Sequence, residues 1–238
     1  MTDYFIKKIK IKGNEQLFIC RGNSHIVDAD KLNEQFIFKN QKHATLFKVE
    51  NRILKVCHAQ SVPKDILRKY ILNSQAEREF KSADIISQLG LISPESNFSA
   101  FSLSPFTMIE SMHEMSFLDN FEDIGKDFIR KGDRRDSFGI ISCFAKDLAI
   151  MTNEMFVPKD LGLGNIMYNR AEAKMAWLDT DLKKVKSKTQ SAKMLMAQLT
   201  PRLFRHLSKQ DTDLFWNVFC EHSTLFPDRH EMISRSER

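Results

Sequence analysis

The chain has 238 residues, with 36 Lys plus Arg against 31 Asp plus Glu for a net charge of +5, and it is 42% apolar with 19 Phe. That apolar content excludes an intrinsically disordered chain, and the length fits one larger domain or a two-lobed one. The four cysteines, Cys20, Cys57, Cys143 and Cys220, are scattered, with no CxxC pair and no zinc spacing, which fits a reducing compartment. The opening MTDYFIKKIKIKG has no apolar core of a secretory signal, and no run approaches the roughly 18 apolar residues that span a bilayer. A cytoplasmic protein is expected.

Tyr4 to Lys12 alternates apolar and basic residues, and Gln16 to Arg21 repeats an apolar run after Gly13-Asn14, the pattern of a hairpin. Phe36–Lys39, Thr45–Val49 and Arg52–Cys57 read as three further strands, the last two joined by a tight turn at Glu50-Asn51. After Pro63 the period changes to that of a helix, with Ile66, Leu67, Tyr70 and Ile71, then Phe80, Ala83, Ile86 and Leu89, ending at Gly90 as a cap. Beyond Pro94, Asn97–Ser102 and Phe106–Glu110 are expected strands. From Phe117 the chain reads as largely helical, Phe138–Asn153 being the longest periodic stretch, interrupted by strands Asn165–Tyr168 and Met175–Leu178 and resuming as helix from Ser191. The class is therefore α+β: residues 1–110 form a β-rich lobe with an antiparallel sheet and one main helix, and 111–238 a mostly helical lobe.

Four segments hold the residues that phosphoryl transfer needs. Lys55 sits on a strand among Ile53, Leu54 and Val56, and a lysine with such neighbours needs a counter-charge, which phosphates and a helix carboxylate supply. Glu79 precedes Phe80 beside the apolar stripe of the following helix and is the first choice for that carboxylate, with Glu77 as the fallback. Asp160-Leu-Gly-Leu-Gly-Asn165 has a DxxxxN spacing on a Gly-bearing loop that leads into an apolar strand; the Asp suits a base for an attacking hydroxyl and the Asn a Mg²⁺ ligand. Asp179, in Trp177-Leu-Asp-Thr-Asp181, follows an apolar triplet and is a second metal ligand, with Asp181 either a supporting residue or a further ligand. Lys42, in the loop from Asn40 to Thr45, is a candidate phosphate contact, and Glu110 closes the strand after which backbone would bond adenine.

The order and spacing of these segments resemble the lipopolysaccharide core kinases, the Kdo and heptose kinases, over about Phe38 to Lys184, roughly three-fifths of the chain. Glu79 to Pro94 looks like their lobe-connecting helix, Asp160-Leu161 through Asn165-Ile166 like their catalytic loop and Leu178-Asp179-Thr180-Asp181 like their metal motif. The resemblance implies a bilobal protein-kinase-like fold. It also implies ATP and Mg²⁺ as cofactors, Asp160 as base, Asn165 and Asp179 on the metal, Lys55 on the phosphates with Glu79 positioning it, and a lipopolysaccharide core sugar as acceptor. Two positions depart from the pattern: Pro158 stands where the family has His, and the phosphate-covering loop has no Gly. A second resemblance is to the YrbL-like kinase-like proteins, and with it the alternative of a protein kinase or pseudokinase acting on a protein partner.

Between Lys183 and Lys209 eight cations occur with no Asp or Glu, so the rest of the chain is mildly acidic. This basic element suits an anionic membrane surface or sugar phosphates, with peripheral contact at the inner membrane as one expectation and a solvated helix face as the other. A nucleic-acid binder is disfavoured, since the basic stretch has few aromatics to stack on bases.

Overall fold

The computed structural model describes residues 4–11, 14–28, 32, 34–40, 42–61, 73–104, 107–124 and 136–237. The chain divides into two compact units, one of Met1–Asp84 and Pro94–Asp119, the other of Ile85–Ser93 and Asn120–Arg238. The first unit thus runs past residue 110, and β7 (Ile109–Ser116) lies wholly inside it.

The first unit is built on a seven-stranded antiparallel sheet. In chain order its strands are β1 (Tyr4–Ile11), β2 (Asn14–Gly22), β3 (Ile37–Asn40), β4 (Ala44–Val49), β5 (Arg52–His58), β6 (Ser96–Ser102) and β7. Their order across the sheet is β1-β2-β6-β7-β5-β4-β3. The expected N-terminal hairpin is present, in the register Tyr4↔Arg21 to Ile11↔Asn14. Alternation puts Ile9, Ile11, Phe18, Cys20, Leu54, Val56, Phe98 and Ala100 into one core, completed by Ile26 and Val27 of the short helix α1 (His25–Asp28). Glu50 turns the β4–β5 hairpin with a left-handed φ of 53°. Helix α2 (Gln75–Gln88) has its first ten residues in this unit and its last four in the other, and Gly90, φ 73°, follows it. The helical turn expected at Ile66 to Ile71 lies outside the described residues.

One strand is displaced from its expected place. The sequence points to Phe106–Glu110, of which Phe106 lies outside the described residues; β7 begins at Ile109 and continues through Ser111, Met112, His113, Glu114 and Met115. Polar residues in that run look like a loop, yet each is buried with a partner. Ala76 N–H donates to Ser111 Oγ, His113 bonds Ser96, and the Glu114 carboxylate accepts from Ser24 Oγ and from the backbone N–H groups of His25 and Ile26 at the start of α1.

The second unit is helical around α3 (Ser137–Asn153), whose buried stripe is Ile140, Ile141, Phe144, Ala145, Leu148, Ala149, Met151 and Thr152. Helices α4 (Lys188–Arg202), α5 (Lys209–His222) and α6 (Arg229–Glu237) follow it in the same unit. Ser187 caps α4 by accepting from Gln190 N–H, and Ser208 with Asp211 forms a reciprocal capping box on α5. Phe215 and Phe219 of α5 stack 5.7 Å apart, and Phe144 stacks on Trp177 at 5.5 Å, so stacked aromatic rings are set among the aliphatic side chains of this core. Two small sheets lie in the same unit. One orders β11 (Lys174–Trp177), β10 (Ile166–Asn169) and β8 (Glu122–Asp123); the other pairs β9 (Phe156–Pro158) with β12 (Leu182–Lys184). The β10–β11 hairpin was expected; β8, β9 and β12, two or three residues each, were not.

Candidate active site

In the first unit, Lys55 occupies the middle of β5 between Leu54 and Val56, with Leu46 and His113 as its cross-strand neighbours. Its strand neighbours bury it, so its ammonium needs a charged partner. Lys55 Nζ lies 2.9 Å from Glu79 Oε1, with 6% and 5% of the two side chains exposed. Gln75, one turn earlier on α2, donates to the same oxygen at 2.8 Å. The other carboxylate oxygen, Oε2, lies 3.5 Å from His113 Nδ1, and His113 Nε2 bonds Ser96 Oγ at 2.9 Å. Burial by itself pushes the Glu79 carboxyl up; the Lys55 ammonium, seconded by His113, overrides it and holds the group well below the usual carboxylate range.

Glu77, the fallback for this role, points elsewhere. Tyr4 Oη donates to its Oε1 at 2.6 Å and Ser99 Oγ to its Oε2 at 3.1 Å. Arg21 and Lys81 lie 3.5 and 3.1 Å from Oε1, and the Arg21 guanidinium stacks over Phe80 at 4.4 Å. The N-terminal hairpin therefore grips the helix that carries Glu79, two residues from it.

Lys42 is exposed in the bend between β3 and β4. That turn is tied by side chains: Thr45 Oγ1 donates to Asn40 Oδ1 at 3.1 Å and lies 2.9 Å from His58 Nε2, and His58 N–H donates to His43 C=O at 2.9 Å. Glu110 stands second in β7 instead of closing a strand, and its carboxylate is buried and bonded to Ser111 Oγ. The backbone that follows the strand is accordingly Phe117 to Asn120, where the chain passes from the first unit to the second.

In the second unit, the loop after β9 carries Asp160 and Asn165. Pro158, paired with Leu182, and buried Leu161 anchor it, leaving Asp160 exposed. Asn165 N–H donates to Gly162 C=O at 3.0 Å, and its Nδ2 donates to the Asp160 carbonyl at 3.2 Å. With Nδ2 so engaged, Oδ1 is the amide atom that could ligate a cation. Two backbone bonds join this loop to the segment after β11: Lys159 N–H to Asp181 C=O at 2.9 Å and Leu178 N–H to Asn165 C=O at 2.8 Å. Asp179 follows at φ 46°, a left-handed conformation that few residues other than Gly adopt and that Asp tolerates better than most. It is exposed, whereas the Asp181 carboxylate is bonded by Lys159 Nζ at 3.0 and 3.1 Å. The Asp160 carboxylate pairs with Arg202 Nη1, from the last turn of α4, a contact that nothing in the local sequence signals.

The structure thus unites Lys55 with Glu79 in one unit, and joins the loops of Asp160, Asn165 and Asp179 in the other. A carboxylate and an amide oxygen are a donor set for a hard cation such as Mg²⁺, which takes one or two protein oxygens and completes its shell with water and phosphate. Among the described residues there is no group of three His, Cys, Asp or Glu arranged for a metal. Among the described residues no helix is long and apolar enough to cross a membrane.

No model of a known protein family matches the chain, and no curated protein sequence matches it. Solved structures do. WaaP, in a complex with acyl carrier protein, is similar with a TM-score of 0.57 at 14% identity, over 89% of this chain and 89% of that one. WbdD is similar with a TM-score of 0.52 at 13% identity, over 84% of this chain but only 50% of its own. A second structure of WbdD, described as a bifunctional kinase-methyltransferase, gives 0.50 at 11% identity, over 97% of this chain and 54% of that one. The fold is protein-kinase-like. The α+β class and the kinase-like architecture that the sequence implied are therefore those of the structure, and the chain spans about half the length of WbdD.

Proposed function

We propose that the protein is an ATP- and Mg²⁺-dependent phosphotransferase that phosphorylates a hydroxyl, with a sugar of the lipopolysaccharide core as acceptor. The observation that carries this reading is the buried Lys55–Glu79 pair, formed between a sheet strand and the following helix of a kinase-like fold. In this role Lys55 contacts the nucleotide phosphates, assisted by Lys42 from the β3–β4 turn, and Glu79 holds Lys55 in place. Asp160 receives the proton of the attacking hydroxyl, and Asn165 with Asp179 holds the metal, which supplies charge neutralisation at the phosphates. Adenine is assigned to the backbone that follows the strand holding Glu110. The sugar acceptor is supported by the sequence resemblance to lipopolysaccharide core kinases together with the fold shared with WaaP and WbdD.

The basic stretch from Lys183 to Lys209 bears on where such an acceptor is met. Lys183, Lys186, Lys193, Arg205 and Lys209 are exposed, and each cation near an anionic bilayer adds about 1 kcal/mol of attraction. A cytoplasmic enzyme in peripheral contact with the inner membrane is the setting we infer.

Thermal melting with Mg²⁺ and ATP, GTP or no nucleotide tests the cofactor, because a ligand at a hundred times its Kd stabilises by about 2.7 kcal/mol. A rise with MgATP is expected; no rise with any nucleotide would overturn the reading. Labelled ATP with extracted glycolipid, against a protein lysate, tests the acceptor, and label confined to protein would replace the sugar with a protein substrate.

A further inference from the structure

The transferring phosphoryl group carries negative charge on three oxygens, and catalysis of its transfer rests largely on cations placed against it. The only cation in the loop from Pro158 to Met167 is Lys159, and its ammonium is held by both oxygens of Asp181. The loop's own sequence therefore leaves Asp160 without a cation for this task. The structure brings one from 42 positions further along the chain: Arg202, in the last turn of α4, sets its guanidinium on the Asp160 carboxylate. Both side chains are partly exposed, 43% for Arg202 and 59% for Asp160, so this is not a buried strut of the fold, and exposed pairs of this kind contribute little to stability.

Building on the phosphotransferase reading above, we infer that Arg202 is a further cation, beside the metal and Lys55, that neutralises the transferring phosphoryl group, resting on Asp160 until that group arrives. The acceptor hydroxyl oxygen forms a bond to the γ-phosphorus of the nucleoside triphosphate. The bond from that phosphorus to the bridging oxygen breaks, its electron pair leaving on the nucleoside diphosphate, and the hydroxyl proton passes to Asp160. As Asp160 takes the proton it gives up the charge that held Arg202, while the phosphoryl oxygens present theirs. The guanidinium's planar fork of donors suits that exchange, since it matches carboxylate and phosphate oxygens alike. The arrangement also gives one member of the basic stretch, otherwise unassigned to chemistry, a place in the reaction.

Calorimetry with MgADP, alone and with aluminium fluoride as a mimic of the transferring phosphoryl, tests this without knowledge of the acceptor. Transition-state mimics bind at least about a hundredfold tighter than ground-state ligands where the stabilising groups are in place. The unaltered protein should bind MgADP and tighten with the fluoride. Arg202→Ala should bind MgADP within about threefold of it and lose most of the tightening, on the order of tenfold or more. Arg202→Lys should keep part of the tightening, and free guanidinium ion at low concentration should restore it to the Ala variant, a rescue that a purely structural arginine would not show. Full tightening in both variants would overturn the inference, as would stronger MgADP binding by Arg202→Ala, the mark of a blocking latch. Should the unaltered protein bind MgADP yet fail to tighten, the inference alone falls. Should it bind no MgADP, the phosphotransferase reading falls and takes the inference with it.

Discussion

Lys55 Nζ and Glu79 Oε1 form a 2.9 Å ion pair in which each side chain is almost wholly withdrawn from water. Removing one partner of such a pair strands a buried charge and costs about 3–5 kcal/mol, whereas replacing both with apolar residues of similar size is often neutral. Lys55→Met should therefore lower stability in urea by about 3 kcal/mol, and Lys55→Met with Glu79→Met should recover most of that loss. Equal losses in the single and double variants would show that the pair is not coupled. Both variants should lose nucleotide affinity.

The same pair sets an acid limit. Lys55 and His113 hold the Glu79 carboxyl at about 2 in the folded protein, against 4.5 for an unperturbed glutamate. Between those values the unfolded chain binds the extra proton, so this contribution to stability is whole above about pH 4.5 and is lost as pH falls toward 2. Glu79→Gln should differ from the parent at neutral pH and converge on it in acid. A constant difference across that range would contradict the assignment.

Asp147 titrates in the opposite sense. Burial raises its carboxyl to about 6 from 3.8, against the opposing pull of the Trp177 indole, which donates to its Oδ2 at 2.8 Å, and of Lys146. The folded state binds the proton more tightly, so stability falls as pH rises from about 3.8 to 6 and the penalty persists above. Asp147→Asn keeps an acceptor for the indole without the charge. It should gain on the order of 2 kcal/mol at pH 8 and nothing at pH 3.5, as read from urea midpoints. A loss at pH 8 would show that the carboxylate serves the fold as an anion.

Asp179→Asn should abolish Mg²⁺-dependent phosphate transfer and leave the melting temperature within a few degrees of the parent, because the side chain is exposed and fills no core. Undiminished turnover would remove Asp179 from the metal site.

Tyr4→Phe should cost about 1 kcal/mol through loss of the 2.6 Å bond to the buried Glu77 carboxylate, and Glu77→Gln should reduce the effect of that change. Additive losses would mean that the hairpin does not act on α2 through this contact.

Much of the architecture was legible because its elements carry clean periods. The alternation of Tyr4 to Arg21, the stripe through Phe80 and Ile86, and the long apolar face of α3 each have one natural reading. Lys55 and Glu79 were legible for a related reason, as charges among apolar neighbours that must find each other. β7 was not, because the polar side chains of Ser111, His113 and Glu114 are satisfied by residues from α2, β6 and the start of α1, and no local window contains those partners. β9 and β12 hold only three residues each, too few for any period. The contact of Arg202 with Asp160 joins a helix end to a loop far upstream, which only the folded chain displays.

The place of the N-terminal hairpin has a practical bearing on how the protein is handled. β2 covers the edge of β6, pairing from Phe18↔Ser102 to Gly22↔Phe98, so the backbone groups of that edge are taken up by a neighbouring strand along its bonded length. A truncation that discards the first 22 residues would bare a hydrogen-bonding ladder ready to recruit another chain, while stripping Phe18 and Cys20 from the core beneath it. Such a shortened protein would be found in the insoluble fraction, and inactivity measured on it would report lost solubility instead of lost chemistry.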